Sequence, residues 1–334
     1  MKKRILSFFF ALVFLFAAGC AEPTLRESSD ILSVHFIDVG QGDSIFIELP
    51  GGQCMLIDSG EKQYSETVKS YISTLKYEKI DYLVATHPHS DHIGSMSEIV
   101  DAFDIDTVYM PKVSHNTKTY ENLLLSIKNK GLRVTTAKAG VSVRLTDDLD
   151  FEIVAPVGET HSDLNNWSVV LRLVYGNTAF LFTGDAEAAS ESKITANISA
   201  DVLKVGHHGS YTSTSADFLK NVAPNHAVIS CGKDNDYGHP HKETLEKLTN
   251  AGVAVYRTDL SGSIIFTSDG ITVSTDAKTS ETVAAAAEYI GNKNSKKFHL
   301  ITCSGLPAEK NCVSFATRND AISAGYSPCG ICKP

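Results

Sequence analysis

The stretch Thr86-His87-Pro88-His89-Ser90-Asp91-His92 constrains this 334-residue chain more than any other. It places four potential metal ligands within six residues, directly behind residues 82–85, which read as a buried apolar strand. His87 and His89 alternate onto one side and suit one ion. Asp91 and His92, further round the turn, face a second. Imidazole with carboxylate suits zinc, and manganese or iron as well, so the spacing leaves the metal open.

A loop of this kind needs a rigid frame, and the surrounding pattern predicts one. Residues 32–37, 44–49 and 53–57 read as closely spaced strands between Gly-rich turns, followed by helical spacing over 65–75. Further strands are predicted at 107–110, 133–136, 151–154, 168–174, 178–182, 202–205, 227–230 and 253–256, and a closing pair at 262–266 and 272–275. Helices fit 120–129, 187–195, 216–221 and 242–250. Hairpins mixed with helix–strand pairs predict two sheets covered by helices, an α/β protein of the α+β kind, rather than one parallel sheet. At 43% hydrophobic and 21% charged residues, the composition excludes a disordered chain.

The first segment reads as an address. Lys2, Lys3 and Arg4 precede the apolar residues 5–18, broken only by Ser7, and then Gly19 and Cys20. This is the order of an export signal, too short to span a bilayer. Its ending resembles a bacterial lipobox, which implies lipidation at Cys20 and attachment to the outer face of the cytoplasmic membrane. Ala17 departs from the usual Leu, and ordinary secretory cleavage is the alternative. Residues 21–30 read as a tether. The net charge of −9 becomes about −12 once the basic leader is removed. The tail from Glu288 carries +3, so the large domain stands near −15, poorly suited to nucleic-acid backbones unless bound metal attracts them.

His87–His92 resembles the HxHxDH signature of the metallo-β-lactamase superfamily, which implies a four-layer αββα sandwich. Five further motifs narrow the resemblance: HFIDVGQGDS from His35, LIDSG from Leu56, Thr183-Gly184-Asp185, His207-His208-Gly209-Ser210 and Tyr237-Gly238-His239-Pro240-His241. Together they resemble the soluble hydrolase domain of the ComEC competence family over residues 31–275. No channel portion accompanies them, so hydrolysis rather than DNA transport is the expectation. The resemblance implies two divalent ions, zinc or manganese, held by His87, His89, Asp91, His92, Asp185 and His208, with Asp185 bridging. It leaves an edge for a shared water or hydroxide as nucleophile. Asp58 is expected to orient the His loop. Asp91, His207 and His241 are the expected catalytic groups. His207 and His208 are exchangeable at this level, and His241 is an alternative last ligand. His239 or His241 would protonate a leaving group or contact a phosphate. Many two-metal members carry a further His where this chain has Asn165-Asn166-Trp167, with His161 upstream; water or Asn166 would fill the gap, or one metal alone binds tightly. Asp38, Gln41 and Asp43 either line the site, hold an anion through their turn, or serve the turn alone.

Of seven cysteines, Cys54 and Cys231 read as small core residues and four crowd the last 32 positions. In an exported protein, disulfides are the first expectation. Phe298 to Cys303 followed by Pro328-Cys329-Gly330-Ile331-Cys332 resembles the zinc module of the Ada repair protein over residues 289–334. His299 replaces its first Cys, which implies one structural zinc on His299, Cys303, Cys329 and Cys332. Cys312 has no place in that pattern and keeps the disulfide alternative open. Residues 276–288 read as a linker or short helix.

The leading expectation is an exported phosphodiesterase or nuclease connected with DNA uptake, with DNA or another phosphodiester as substrate and the membrane as anchor. An esterase of cell-envelope phosphoesters is the related alternative. A non-catalytic, lipid-anchored DNA-binding protein is the alternative from another class, and the full ligand set argues against it. A β-lactamase ranks lower, because the Asn-for-His change and the GHPH loop belong to the other branch. Fold alone decides none of this.

Overall fold

Alternation at period two builds the sandwich. In β1 (Leu32–Phe36), Leu32, Val34 and Phe36 enter a central core. In β2 (Ile45–Glu48), Ile45 and Ile47 join them, while Phe46 faces the opposite side with the helices. The computed structural model describes residues 30–159, 161–280, 289–301, 303–315, 318–332 and 334. Cys20, residues 21–29 and residues 281–288 lie outside the described residues.

β1, β2 and β3 (Cys54–Ile57) form an antiparallel meander. β4 (Lys79–Val84), β5 (Asp104–Met110) and β6 (Val134–Thr136) continue it in parallel. The second sheet repeats this plan. β7 (Val141–Arg144), β8 (Leu149–Ala155), β9 (Val170–Tyr175) and β10 (Thr178–Phe182) are antiparallel. β11 (Val202–Lys204), β12 (His226–Ile229) and β13 (Ala254–Arg257) extend it in parallel. β14 (Ile264–Ser268) and β15 (Val273–Ser274) return to pair beside β1. The resulting orders are β15-β14-β1-β2-β3-β4-β5-β6 and β13-β12-β11-β10-β9-β8-β7.

Phe36, Phe151, Phe180, Phe182 and Phe266 fill the space between the sheets. Helices α1 (Ser65–Thr74), α2 (Ser90–Ile93), α3 (Met96–Ala102) and α4 (Lys118–Asn129) follow strands of the first sheet, and Val68, Ile99 and Leu123 pack on its outer face. α5 (Ala188–Glu191), α6 (Ala216–Val222), α7 (Lys242–Asn250) and α8 (Thr258–Ser261) belong to the second sheet, where Phe218, Val222 and Leu248 close its outer face. This is the expected four-layer arrangement. Two details differ. The helix predicted over 187–195 stops at Glu191, whose carboxylate accepts the backbone N–H groups of Thr214 and Ser215. β7, half-exposed along its length, lacked the apolar run that marks a strand.

The tail forms its own sheet, ordered β18-β16-β17-β19, from β16 (Tyr289–Asn292), β17 (Lys297–Leu300), β18 (Cys312–Phe315) and β19 (Ser327–Pro328), with α9 (Arg318–Ser323). Its buried core is Phe298, Ala321 and Tyr326, with Tyr289, Val313 and Phe315 packed against it. So small a core needs help to fold. Among the described residues, no helix is long and apolar enough to cross a membrane.

Candidate metal centre

Parallel strands end where their loops can converge, and the His loop uses this. Asp58 follows β3 with a left-handed backbone (φ 56°) and is fully buried. Its Oδ1 accepts the Thr86 N–H at 2.8 Å, and Oδ2 accepts the Thr86 hydroxyl at 2.6 Å and lies 2.8 Å from His92 Nδ1. One carboxylate thus fixes the start of the loop and the ring of His92, leaving His92 Nε2 directed at Asp185 Oδ2, 3.2 Å away.

The second sheet supplies the other half. Asp185 follows β10, and its N–H donates to Ser168 Oγ. After β11 the chain turns through His207 and His208, both left-handed (φ 50° and 53°). Such backbone costs about 1–3 kcal/mol per residue and persists where the surroundings over-determine it. Gly209, at φ +87°, seats the turn on the 235–241 loop; a Cβ there would lie 2.5 Å from Pro240 Cβ. His208 Nδ1 donates to the Ser230 carbonyl at 2.9 Å, which leaves Nε2 free. That Nε2 stands 3.2 Å from Asp91 Oδ2 and 3.5 Å from Asp185 Oδ2.

Asp91, His92, Asp185 and His208 offer ligand atoms that all lie within 4.8 Å of one another. The fit to a cation rests on orphaned atoms. His92 Nε2, His208 Nε2 and Asp185 Oδ1 are buried without a hydrogen-bond partner, a costly state in a protein interior. Two ligands of one tetrahedral ion at about 2.0 Å lie about 3.3 Å apart, close to the separations seen. The electrostatics agree. Burial disfavours charge on His92, yet Asp185, Asp91 and Asp58 outweigh it and hold its pKa well above the usual range. His208 behaves alike: burial opposes its charge, and Asp185 and Asp91 push it up to about 10. Burial resists ionisation of Asp185, but His208 and His92 keep its pKa well below the usual range. Carboxylates this buried call for positive charge, which a divalent ion would supply.

His87 and His89 make a sparser set. His87 Nε2 lies 3.0 Å from His89 Nδ1 and 3.9 Å from Asp185 Oδ2, while Ser168 Oγ sits 3.2 Å from His87 Nδ1. Burial, then the neighbouring His92, hold His87 well below the usual histidine range. Asn166 is tied by its amide to Glu187, and Asn165 rather than Asn166 lines the cavity. His207 Nε2 is 3.7 Å from Asp185 Oδ2, and the residue remains partly exposed at that cavity. His241 is not brought in. It caps α7, and its Nδ1 accepts the Tyr211 N–H at 3.2 Å, so His239 reaches the cavity instead. His161 packs on Trp167. Cys54 and Cys231 are buried, as small core residues would be.

In the tail, His299, Cys303, Cys329 and Cys332 bring their ligand atoms within 4.8 Å of one another. Backbone N–H groups of Leu300, Gly305 and Ile331 donate to the sulfurs of Cys332, Cys303 and Cys329. Cys312 stands apart, its thiol donating to the Pro307 and Ala308 carbonyls. Cys303, Cys312, Cys329 and Cys332 are in no disulfide, and one His with three Cys suits structural zinc.

Residues 37–233 match the metallo-beta-lactamase superfamily. The chain belongs to that superfamily. Residues 277–334 match the metal binding domain of Ada. The chain is 33% identical to ComE operon protein 3 of Bacillus subtilis over 251 residues, covering 69% of this chain and 32% of that protein. It is 30% identical to competence protein ComA of Neisseria gonorrhoeae, covering 69% and 31%. The chain thus spans about a third of the length of these relatives. Among solved structures, a putative metal-dependent hydrolase from Parabacteroides distasonis is 16% identical with a TM-score of 0.45, covering 68% of this chain and 93% of that one.

Three residues at the site escaped the sequence reading in role or entirely. Ser168 touches both His87 and Asp185. Asp43, left undecided between turn and site, is buried 3.6 Å from His208 and 3.8 Å from His92. Lys204, fully buried, lies 2.6 Å from Asp43. The tail invites a direct test. Cys329→Ser is expected to lower the bound metal by one ion per chain and to melt the tail, leaving the main unfolding transition in place. Metal analysis with differential scanning calorimetry reads both.

Proposed function

We propose that this protein is an exported, lipid-anchored, metal-dependent phosphodiesterase acting on nucleic acid. One observation carries the reading. Oδ2 of the buried Asp185 lies 3.2–3.9 Å from ring nitrogens of His87, His92, His207 and His208, which come from both sheets. Bound divalent ions would supply Lewis acidity and an activated water at such a carboxylate. The chain's own groups do the rest. Asp91 and His208 would hold a cation on one side, and His87 and His89 on the other. His207 and His239 face the cavity, where the N–H of a neutral imidazole would hydrogen-bond a leaving oxygen. That cavity, about 340 Å³, is lined by Gln41, Ser90, Thr117, Asn165, Tyr237 and His239. Amides, hydroxyls and imidazoles suit a charged, hydrogen-bonding group such as a phosphate.

Relationship to competence proteins and the +3 tail support a nucleic-acid substrate. The test is cleavage of single-stranded and duplex DNA beside a chromogenic β-lactam. DNA cleavage with no β-lactam turnover is expected; the reverse overturns the reading.

Attachment to the membrane rests on Cys20. Cys20→Ser is expected to move the protein from the membrane fraction to the soluble envelope or medium, because a diacylglyceryl group supplies the two chains that stable anchoring needs. Unchanged fractionation would contradict lipidation there.

A further inference from the structure

β11 ends in a lysine where a buried strand has no ordinary use for one. Lys204 is 0% exposed, and its Nζ lies 2.6 Å from Asp43 Oδ2. The Asp43 carboxylate stands on the far side of two rings that face Asp185, 3.6 Å from His208 Nδ1 and 3.8 Å from His92 Nδ1. Its backbone is held as well: the N–H donates to the Asp91 carbonyl, and the carbonyl accepts from Gly60. Gly42 permits this approach, since a Cβ there would lie 2.3 Å from the Asp91 carbonyl oxygen. Asp43 therefore belongs to the His-loop half of the site. Lys204 belongs to the other half, two residues before the Gly206–Gly209 turn.

A buried ion pair seldom adds stability over apolar residues of the same volume, so its retention points to another task. The pocket holds four carboxylates, on Asp43, Asp58, Asp91 and Asp185, and the Lys204 ammonium offsets one of them.

We propose that Lys204 and Asp43 form a positioning strut behind the metal pocket, fixing the ligands of the two sheets relative to each other and setting the pocket's affinity for divalent cations. The inference rests on the metal-dependent reading above. Its signature is opposite signs. Lys204→Met removes a positive charge near the cations and should tighten binding about tenfold or more, whereas Asp43→Asn removes a negative one and should weaken it similarly. The double substitution restores the balance without the strut. It should bind metal within about threefold of wild type yet turn over more than about tenfold slower, with KM unchanged.

The probe is cobalt(II) alone, titrated into the full chain stripped of metal. Thiolate charge-transfer bands report the tail separately from the sandwich site. A residue needed for packing alone would shift both single variants the same way. That result, or wild-type turnover in the double variant, would overturn the proposal. Should the single variants fail to fold, the double variant carries the test, because it leaves no unpaired buried charge. Cobalt absent from the sandwich site of the wild-type chain would instead overturn the metal reading.

Discussion

Asp185→Asn is expected to abolish phosphodiester cleavage while leaving the protein folded. Oδ2 of this carboxylate lies within 3.9 Å of ring nitrogens of four imidazoles of the site. A neutral amide would hold a divalent ion less well than the carboxylate, and with it the activated water such an ion would supply. Turnover of bis(p-nitrophenyl) phosphate should fall by more than about a hundredfold, beyond what loss of an outer partner costs. Stability of the metal-free protein should fall somewhat, because His92 and His208 lose the carboxylate that favours their buried charge, while the fold persists. Undiminished turnover in a folded, metal-loaded variant would remove Asp185 from the chemistry.

Asp58→Ala should fail differently. It deletes an acceptor for the Thr86 N–H, the Thr86 hydroxyl and His92 Nδ1 at once, at a site with no access to water. Leaving buried donors unpaired costs about 1–3 kcal/mol each, so a total loss of roughly 3 kcal/mol or more is expected in urea unfolding. Metal affinity should drop about 10–100-fold as the His92 ring loses its orientation. The pair of variants separates the two roles: Asp185→Asn loses function in a protein that stays folded, and Asp58→Ala loses function with the larger loss of stability.

The sequence exposes some of this site and hides the rest for physical reasons. The His loop is legible because its ligands are local, four within six residues behind a strand. Asp58 and Asp185 are legible because Asp58 directly follows a buried apolar strand and Asp185 stands three positions past another. Lys204 is hidden, since one polar residue in Val202–Lys204 reads as an ordinary outward position. Its partner Asp43 is 161 positions away, and the two meet only when the sheets pack. The choice between His239 and His241 is hidden too. Both stand in one short loop, and the backbone N–H of Tyr211 takes His241 out of contention. On the fold, the antiparallel and parallel runs follow from spacing and alternation. The short helices α2 and α3 are set by packing under the His loop, where propensity has little say.

The most direct test of the account is reconstitution of the full chain after its metal is stripped. Chelated protein should cleave neither DNA nor bis(p-nitrophenyl) phosphate, and activity should return in step with divalent ions entering the sandwich site. Full activity in protein shown by metal analysis to be free of divalent ions would contradict it.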